Sequence, residues 1–182
     1  LGGIFYSYIG PKLIMQIALV AHAVGILMTI YAVDYNTLLI STLLIGLGNG
    51  CTEAACNPMI ADSYSGIEMN SKLNRFHMWF PGGIVLGALV SKFMTDANMQ
   101  WQAQIWVILI PTIIYAVLFY GQSFPKARIG DNSVLANFKA MLNPLYLFMA
   151  ACMALTAISE FGPQQWVGPI LAKAGASPML IL

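Results

Sequence analysis

The sequence predicts an all-α membrane protein, and three observations support this fold class. Of the 182 residues, 59% are hydrophobic and 8% are charged, whereas about 25% of residues are charged in a typical soluble domain. The mean hydropathy is +0.75. The apolar residues fall in blocks of about 20, the length of a helix that crosses a bilayer. This composition excludes a soluble globular domain and a disordered chain. The net charge of +1 lacks the basic footprint of a nucleic-acid binder.

Five apolar blocks are long enough to cross a bilayer, and a partial helix lies at each end. Residues 1–9 are interpreted as the end of a helix, followed by a tight turn at 10–12. We expect complete spans at 12–33, 37–64, 78–94, 103–122 and 145–171, the last broken at two Gly-Pro pairs, and a new helix near residue 176. The stretches 65–77, 95–102 and 123–144 are expected to be polar loops. Because both terminal pieces are short and residue 1 is Leu, we expect the chain to be the middle of a larger protein.

The distribution of Lys and Arg predicts how the helices are oriented. Alternate loops lie on opposite sides of a membrane, and cytoplasmic loops carry an excess of basic residues. One set of loops carries Lys12, Lys72, Arg75, Lys126, Arg128 and Lys139, and the other carries Lys92 and Lys173. We therefore expect the first set to be cytoplasmic and the protein to cross a bacterial inner membrane several times.

The polar stretch 123–144 contains a segment with helical periodicity. One helical face carries Val134, Phe138, Met141 and Leu142, and Lys139 lies on another. This pattern predicts a short amphipathic helix at the cytoplasmic surface. A linker of this length indicates a boundary between two groups of helices.

The second predicted span carries a carboxylate close to its midpoint. A stripe along one side of this helix is formed by Thr42, Asn49, Glu53 and Asn57. Lipid tails cannot form hydrogen bonds with these side chains, so the stripe should face a water-filled cavity or the bundle interior. We expect Glu53 to take part in transport or proton movement. The alternative is a protonated structural acid that is bonded to a neighbouring helix.

The fifth predicted span carries a second carboxylate, Glu160. It is followed by the segment Gly162-Pro163-Gln164-Gln165-Trp166. Amide groups donate and accept hydrogen bonds, and an indole offers an apolar face for a sugar ring. A helix break beside these groups therefore resembles a site for a small polar ligand. Contact between helices, or a place at the outer interface, is an equally open interpretation of these side chains.

Two histidines complete the set of candidates. His22 lies mid-span among small residues, and we interpret it as a packed, hydrogen-bonded side chain. His77 lies at the cytoplasmic start of the third predicted span and could titrate near neutral pH. We keep His77 as a candidate solute-binding residue, although an interfacial role is the favoured interpretation.

The sequence carries no recognisable enzyme or metal motif. It contains no HExxH, no GxSxG and no cluster of Cys and His, and its three cysteines are interpreted as packing residues. We therefore expect no catalytic residue, no metal and no cofactor. Small residues at four-residue spacing favour close helix packing. They form two rows, Gly46, Gly50 and Ala54 in one, and Gly83, Gly87 and Ser91 in the other.

Several of these stretches together resemble the major facilitator superfamily of secondary transporters. Between its helices 2 and 3 that family carries the loop pattern Gly-x-x-x-Asp-Arg-x-Gly-Arg-Arg, which Gly3, Gly10 and Lys12 match. Ser7 and Tyr8 stand where the family has its acidic and basic pair. The resemblance implies a helical bundle that runs here from the end of helix 2 to the start of helix 8. Residues 1–122 would then belong to the N-terminal six-helix half, 123–144 to the linker and 145–182 to the C-terminal half.

A closer resemblance is to the fucose–proton symporter branch of that family. Its helix 4 carries a Glu-x-x-x-Asn-Pro pattern, which Glu53, Asn57 and Pro58 match. The resemblance implies that Glu53 couples transport to protons. His77 replaces a Gln of the fucose-type sequence and Phe80 replaces an Asn on the sugar side, so a sugar is implied but fucose itself is not.

The combined hypothesis is a monomeric symporter that moves a small polar solute, such as a sugar, together with a proton by alternating access. Its partners would be the solute, the proton and the lipid bilayer. Glu53 would be the coupling residue, and the candidate solute-binding residues are Asn49, Asn57, His77, Glu160, Gln164, Gln165 and Trp166. The alternatives are a drug or metabolite exporter of the same fold and a membrane sensor that does not transport.

Overall fold

A computed structural model of the chain describes residues 2–125 and 134–175, and all regular secondary structure in these ranges is helical. Five of the helices are long and apolar enough to cross a membrane, which confirms the all-α membrane fold. The chain forms two compact units, residues 1–131 and residues 132–182. The helix expected near residue 176 lies outside the described residues.

The first unit contains four long helices, α1 (Gly2–Ile30), α2 (Tyr35–Ser63), α3 (Gly66–Asp96) and α4 (Trp101–Phe119). The second unit contains α5 (Val134–Met141) and α6 (Pro144–Lys173). Helix α5 occupies the segment in which a short amphipathic helix is predicted. Its place at the cytoplasmic surface stays a prediction.

Two helices extend further than the apolar blocks predict. The expected turn at 10–12 is a kink inside α1, where Gly10 has φ 78° and ψ 160°. Glycine adopts this conformation without steric cost, and the helix resumes at Pro11. The stretch 65–77, predicted as a polar loop, is helical from Gly66 onward. A helix satisfies its own backbone hydrogen bonds whether its side chains are apolar or polar, so the apolar block marks only part of α3.

Helix α6 is continuous, although a break was predicted at its Gly-Pro pairs. Pro163 and Pro169 both lie inside the helix. Each proline removes one backbone donor, but local adjustments and neighbouring groups allow membrane helices to tolerate it. The prediction of a helix break beside Gln164 is therefore wrong.

The start of α2 is capped by a carboxylate. The Asp34 Oδ1 atom accepts a hydrogen bond of 2.7 Å from the Thr37 backbone N–H, and this bond holds the pKa of Asp34 below its ordinary value. Because the pKa of Asp34 is lower in the folded than in the unfolded state, its ionised form stabilises the fold at pH values above the unfolded pKa. This contribution is lost as the pH falls through the folded value. Asp34 thus fixes the point where the chain re-enters the membrane-spanning segment.

Helices α1 and α2 form the most closely packed pair of the first unit. Gly25 allows the approach, because a Cβ atom at this position would lie 2.8 Å from Ile45 Cγ1 and 3.0 Å from the Ser41 carbonyl oxygen. Near this point the Thr29 hydroxyl donates a 3.0 Å hydrogen bond to Ser41 Oγ. At the other end of the pair, the Tyr6 hydroxyl donates to Asp62 Oδ2 at 3.0 Å.

The small-residue rows do not mark this contact. In the part of the chain that the structure describes, a Cβ atom at Gly46, Gly50, Gly83 or Gly87 would meet nothing within 4 Å. The close approaches are at Gly25 and Gly48 instead. Four-residue spacing places residues on one face of a helix, but it does not say which neighbour that face meets.

We predict that Gly25→Val destabilises the full-length protein by about 1–3 kcal/mol, the usual cost of overpacking. The added side chain would overlap the α2 backbone at Ser41. Thermal unfolding in detergent measures the effect. Gly46→Val is the matched control, since its Cβ has open space. Equal unfolding temperatures for the two variants would contradict the assigned contact.

Candidate functional site

The four helices of the first unit surround a cavity of about 520 Å³, within the usual size range of small-molecule sites. Its polar lining consists of His22 from α1, Asn49, Thr52 and Glu53 from α2, and His77 from α3. Its remaining lining is apolar or aromatic and consists of Met15, Cys56, Phe76, Trp79, Phe80, Tyr115 and Phe119. A few polar groups on an apolar wall are typical of a ligand pocket.

Helix α2 brings two predicted site residues to the cavity. Asn49 and Glu53 are one helical turn apart, and both are exposed on the cavity side. Asn57, the next residue of the same stripe, is half-buried and is not part of the lining. Its Oδ1 atom is buried without a hydrogen-bond partner among the described residues. The stripe therefore divides into a cavity-facing part and a packed end.

His77 also faces the cavity. It lies well inside α3 rather than at the start of a helix, because α3 begins at Gly66. Its ring makes an edge contact with Phe76, with 5.4 Å between the ring centroids. The interfacial interpretation of His77 stays a prediction.

His22 is the centre of the hydrogen bonding in the cavity. Its Nε2 atom lies 3.0 Å from Asn49 Oδ1, and its Nδ1 atom lies 3.0 Å from the Tyr115 hydroxyl. The imidazole therefore links α1 to both α2 and α4. The Tyr115 ring also meets the His22 ring edge-on, at a centroid distance of 6.1 Å.

Gly48 makes room for this imidazole. A Cβ atom at Gly48 would overlap His22 Cδ2 and would lie 2.6 Å from Nε2. The absence of a side chain at Gly48 allows the ring to pack against α2, within reach of Asn49. Sequence reasoning did interpret His22 as hydrogen-bonded, but it missed that the residue shares a cavity with Glu53. An ionisable group in the middle of a span is the signal that could have indicated this role.

The remaining candidates lie in the second unit. Glu160, Gln165 and Trp166 are exposed side chains of α6, and the side chain of Gln164 lies outside the described residues. The cavity is lined by residues of the first unit, and the part of the α6 candidates in a solute site stays a prediction.

A metal site is not apparent in the described ranges. Within 2–125 and 134–175 there is no group of three or more His, Cys, Asp or Glu side chains that could hold an ion. The side chains that line the cavity can form hydrogen bonds, exchange protons at His and Glu, and offer aromatic faces to a ligand.

These features define a multi-pass helical membrane protein with a cavity between its spans that carries a few polar groups on an apolar wall. The Major Facilitator Superfamily matches residues 1–181, and the chain belongs to this superfamily. The closer resemblance to the fucose–proton symporter branch stays a prediction.

Three relatives show what the chain is similar to. A triacylglyceride transporter of Mycolicibacterium hassiacum is 24% identical over 170 residues, which cover 90% of this chain and 32% of that protein. The nitrate/nitrite transporter NrtP of Nostoc punctiforme is 27% identical over 137 residues, or 70% of this chain and 27% of that protein. A hexuronate transporter of Bacillus subtilis is 27% identical over 121 residues, which cover 66% of this chain and 28% of that protein. The chain thus spans 27–32% of the length of these relatives. No solved structure matches the chain significantly.

We predict that Gly48→Ala displaces the His22 ring and lowers the stability of the full-length protein by about 1–3 kcal/mol, the cost of overpacking. The added methyl group would occupy the place of the imidazole. Thermal unfolding in detergent measures this loss.

Gly50→Ala is the control for this variant, because a Cβ atom there has open space. It should unfold at or slightly above the wild-type temperature, since Ala is the better helix former. The packing of His22 against α2 would be refuted if Gly48→Ala behaved like Gly50→Ala.

Proposed function

We propose that the protein containing this chain is a proton-coupled symporter for a small polar solute, with a sugar as the solute, and that it works by alternating access. The observation that carries the proposal is the position of Glu53. This carboxyl group lies in a membrane-spanning helix and faces a cavity that also contains Asn49 and His22. Membership of the superfamily and the transporter names of the relatives support transport.

Glu53 suits proton coupling because of what surrounds it. A carboxylate within a membrane is costly unless it is paired, hydrated or neutralised. Among the residues that the structure describes, those that line the cavity include no Lys or Arg. Taking up a proton is therefore the direct way for this group to lose its charge when the cavity closes around a solute. Release of the proton on the other side, after the conformational change, would complete the cycle.

The cavity offers the groups that a sugar requires. Asn49, Thr52 and His77 provide hydrogen-bond donors and acceptors, and Trp79 provides an aromatic face for a sugar ring. One relative is named for hexuronate, a sugar acid, which agrees with a solute of this chemistry. The other relatives are named for nitrate/nitrite and triacylglyceride, so the proposal rests on the lining of the cavity more than on these names.

We also propose solute contacts for the remaining candidate residues. The buried Asn57 Oδ1 atom lacks a partner among the described residues, and an unsatisfied buried acceptor costs about 1–3 kcal/mol. A donor from the solute or from a neighbouring helix would remove this cost. We propose that Glu160, Gln164, Gln165 and Trp166 provide solute contacts from α6.

An exporter of apolar drugs or metabolites is the competing proposal. Two observations favour it: the aromatic share of the cavity wall and the relative named for triacylglyceride. Such an exporter should take up apolar compounds into inverted vesicles. It should show no accumulation of sugars when the outside is made acidic.

The test uses the full-length protein in proteoliposomes with a panel of radiolabelled hexoses and hexuronates. We predict that an acidic exterior drives accumulation of at least one of these solutes by the wild type. Glu53→Gln should abolish this accumulation because Gln cannot exchange a proton. Solute exchange without a gradient should persist in the variant.

Glu68→Gln is the matched control, since Glu68 lies in the first turn of α3 with an exposed side chain 4.0 Å from Lys72. Exposed ion pairs of this kind contribute little to the stability of a protein, so the Glu68→Gln variant should still accumulate the solute. Accumulation by Glu53→Gln that still follows the pH gradient would refute the coupling role.

A further inference from the structure

The ionisable ring of His22 forms hydrogen bonds with two different helices, α2 and α4. A neutral imidazole has one N–H donor and one acceptor nitrogen. The Asn49 Oδ1 atom can only accept, so the Nε2 atom facing it at 3.0 Å must carry the proton. The Nδ1 atom is then the acceptor, and the Tyr115 hydroxyl, also at 3.0 Å, donates its proton to it.

Adding one proton to His22 reverses one of these bonds and leaves the other unchanged. Both ring nitrogens of an imidazolium are donors. The Nε2–H group keeps its bond to Asn49, whereas Nδ1–H must now donate to the Tyr115 oxygen. The Tyr115 hydroxyl proton can then no longer point at His22 and becomes available to another acceptor. Because Tyr115 also lines the cavity, that acceptor can be an oxygen atom of the solute.

We propose that His22 is a second proton-binding site of this cavity, and that its protonation turns the Tyr115 hydroxyl from an internal donor into a donor to the solute. The inference extends the proposed symport function, because it couples solute recognition to a proton at a residue other than Glu53. It favours solutes that present carbonyl, carboxylate or hydroxyl oxygens to α4. No covalent bond is made or broken apart from the exchange of one proton with the water in the cavity.

The surroundings of His22 determine which groups compete for that proton. The titratable side chains that line the same cavity are Glu53 and Cys56 on α2, His77 on α3 and Tyr115 on α4. Apart from His22 itself, helix α1 adds no titratable side chain to this lining in the part of the chain that the structure describes. An ionised Glu53 would attract an imidazolium, so its effect on the switch has to be separated from that of His22.

The test follows the switch directly by NMR and needs no identified solute. The full-length protein is labelled with 13C at tyrosine Cζ and with 15N in histidine, and spectra are recorded between pH 5 and 8. Loss of a signal in Tyr115→Phe and in His22→Gln assigns the two resonances. We expect the Tyr115 signal to shift with the same midpoint as the His22 signal in the wild type. The shift should be absent in His22→Gln, since Gln cannot be protonated.

Two further variants distinguish which titrating side chain causes the pH-dependent shift of the Tyr115 signal. In Glu53→Gln and in His77→Gln, the Tyr115 signal should retain its pH response. A response that is lost in Glu53→Gln and kept in His22→Gln would overturn the proposal, as would a His22 signal that titrates while Tyr115 stays unchanged. If His22→Gln does not fold, His22→Asn serves in its place. Because these measurements do not depend on uptake, failure of the switch is distinguishable from failure of proton-coupled transport.

Discussion

The close approach of α1 and α2 determines where the polar groups of this bundle meet. Two glycines permit it, Gly25 against the backbone of α2 and Gly48 against the ring of His22. With a side chain at either position the helices or the ring would have to move apart by several tenths of an ångström or more. Protein interiors accommodate such changes poorly. The approach sets His22 beside Asn49 and leaves Glu53 facing the same open space.

The position of the polar side chains around the cavity follows from the cost of placing polar groups in the apolar interior of a bilayer. A span can be apolar on every side and still pack, but a carboxylate, an amide or an imidazole needs a partner or water. In the first unit, polar groups from three helices, His22 of α1, Asn49 and Glu53 of α2, and His77 of α3, line one cavity. The hydrogen bonds of His22 then connect three helices through a single ring. In the proposed switch, protonation of that ring reverses its hydrogen bond to Tyr115 on α4 and keeps its hydrogen bond to Asn49 on α2.

Sequence reasoning located the spans and the Glu53 stripe because both depend on local periodicity. Apolar blocks give the spans, and a spacing of four residues places Asn49 and Glu53 on one side of α2. The polarity of residues 65–77 predicted a loop, but polar residues do not stop a helix and this stretch forms the start of α3. The two Gly-Pro pairs predicted breaks, but α6 continues through both. The pairing of His22 with Tyr115, 93 residues away, is a tertiary contact that no local pattern contains. The choice of Gly48 over Gly46 or Gly50 as the contact point likewise depends on the position of a neighbouring helix.

Proton coupling as proposed requires the carboxyl group of Glu53 to exchange a proton with water, and infrared spectroscopy detects this exchange. Difference spectra of the full-length protein in lipid, recorded between pH 5 and pH 8, detect the C=O stretch of protonated carboxyl groups. We expect a band that decreases as the pH rises and that is missing from the spectra of Glu53→Gln. Identical difference spectra for the wild type and Glu53→Gln would contradict it.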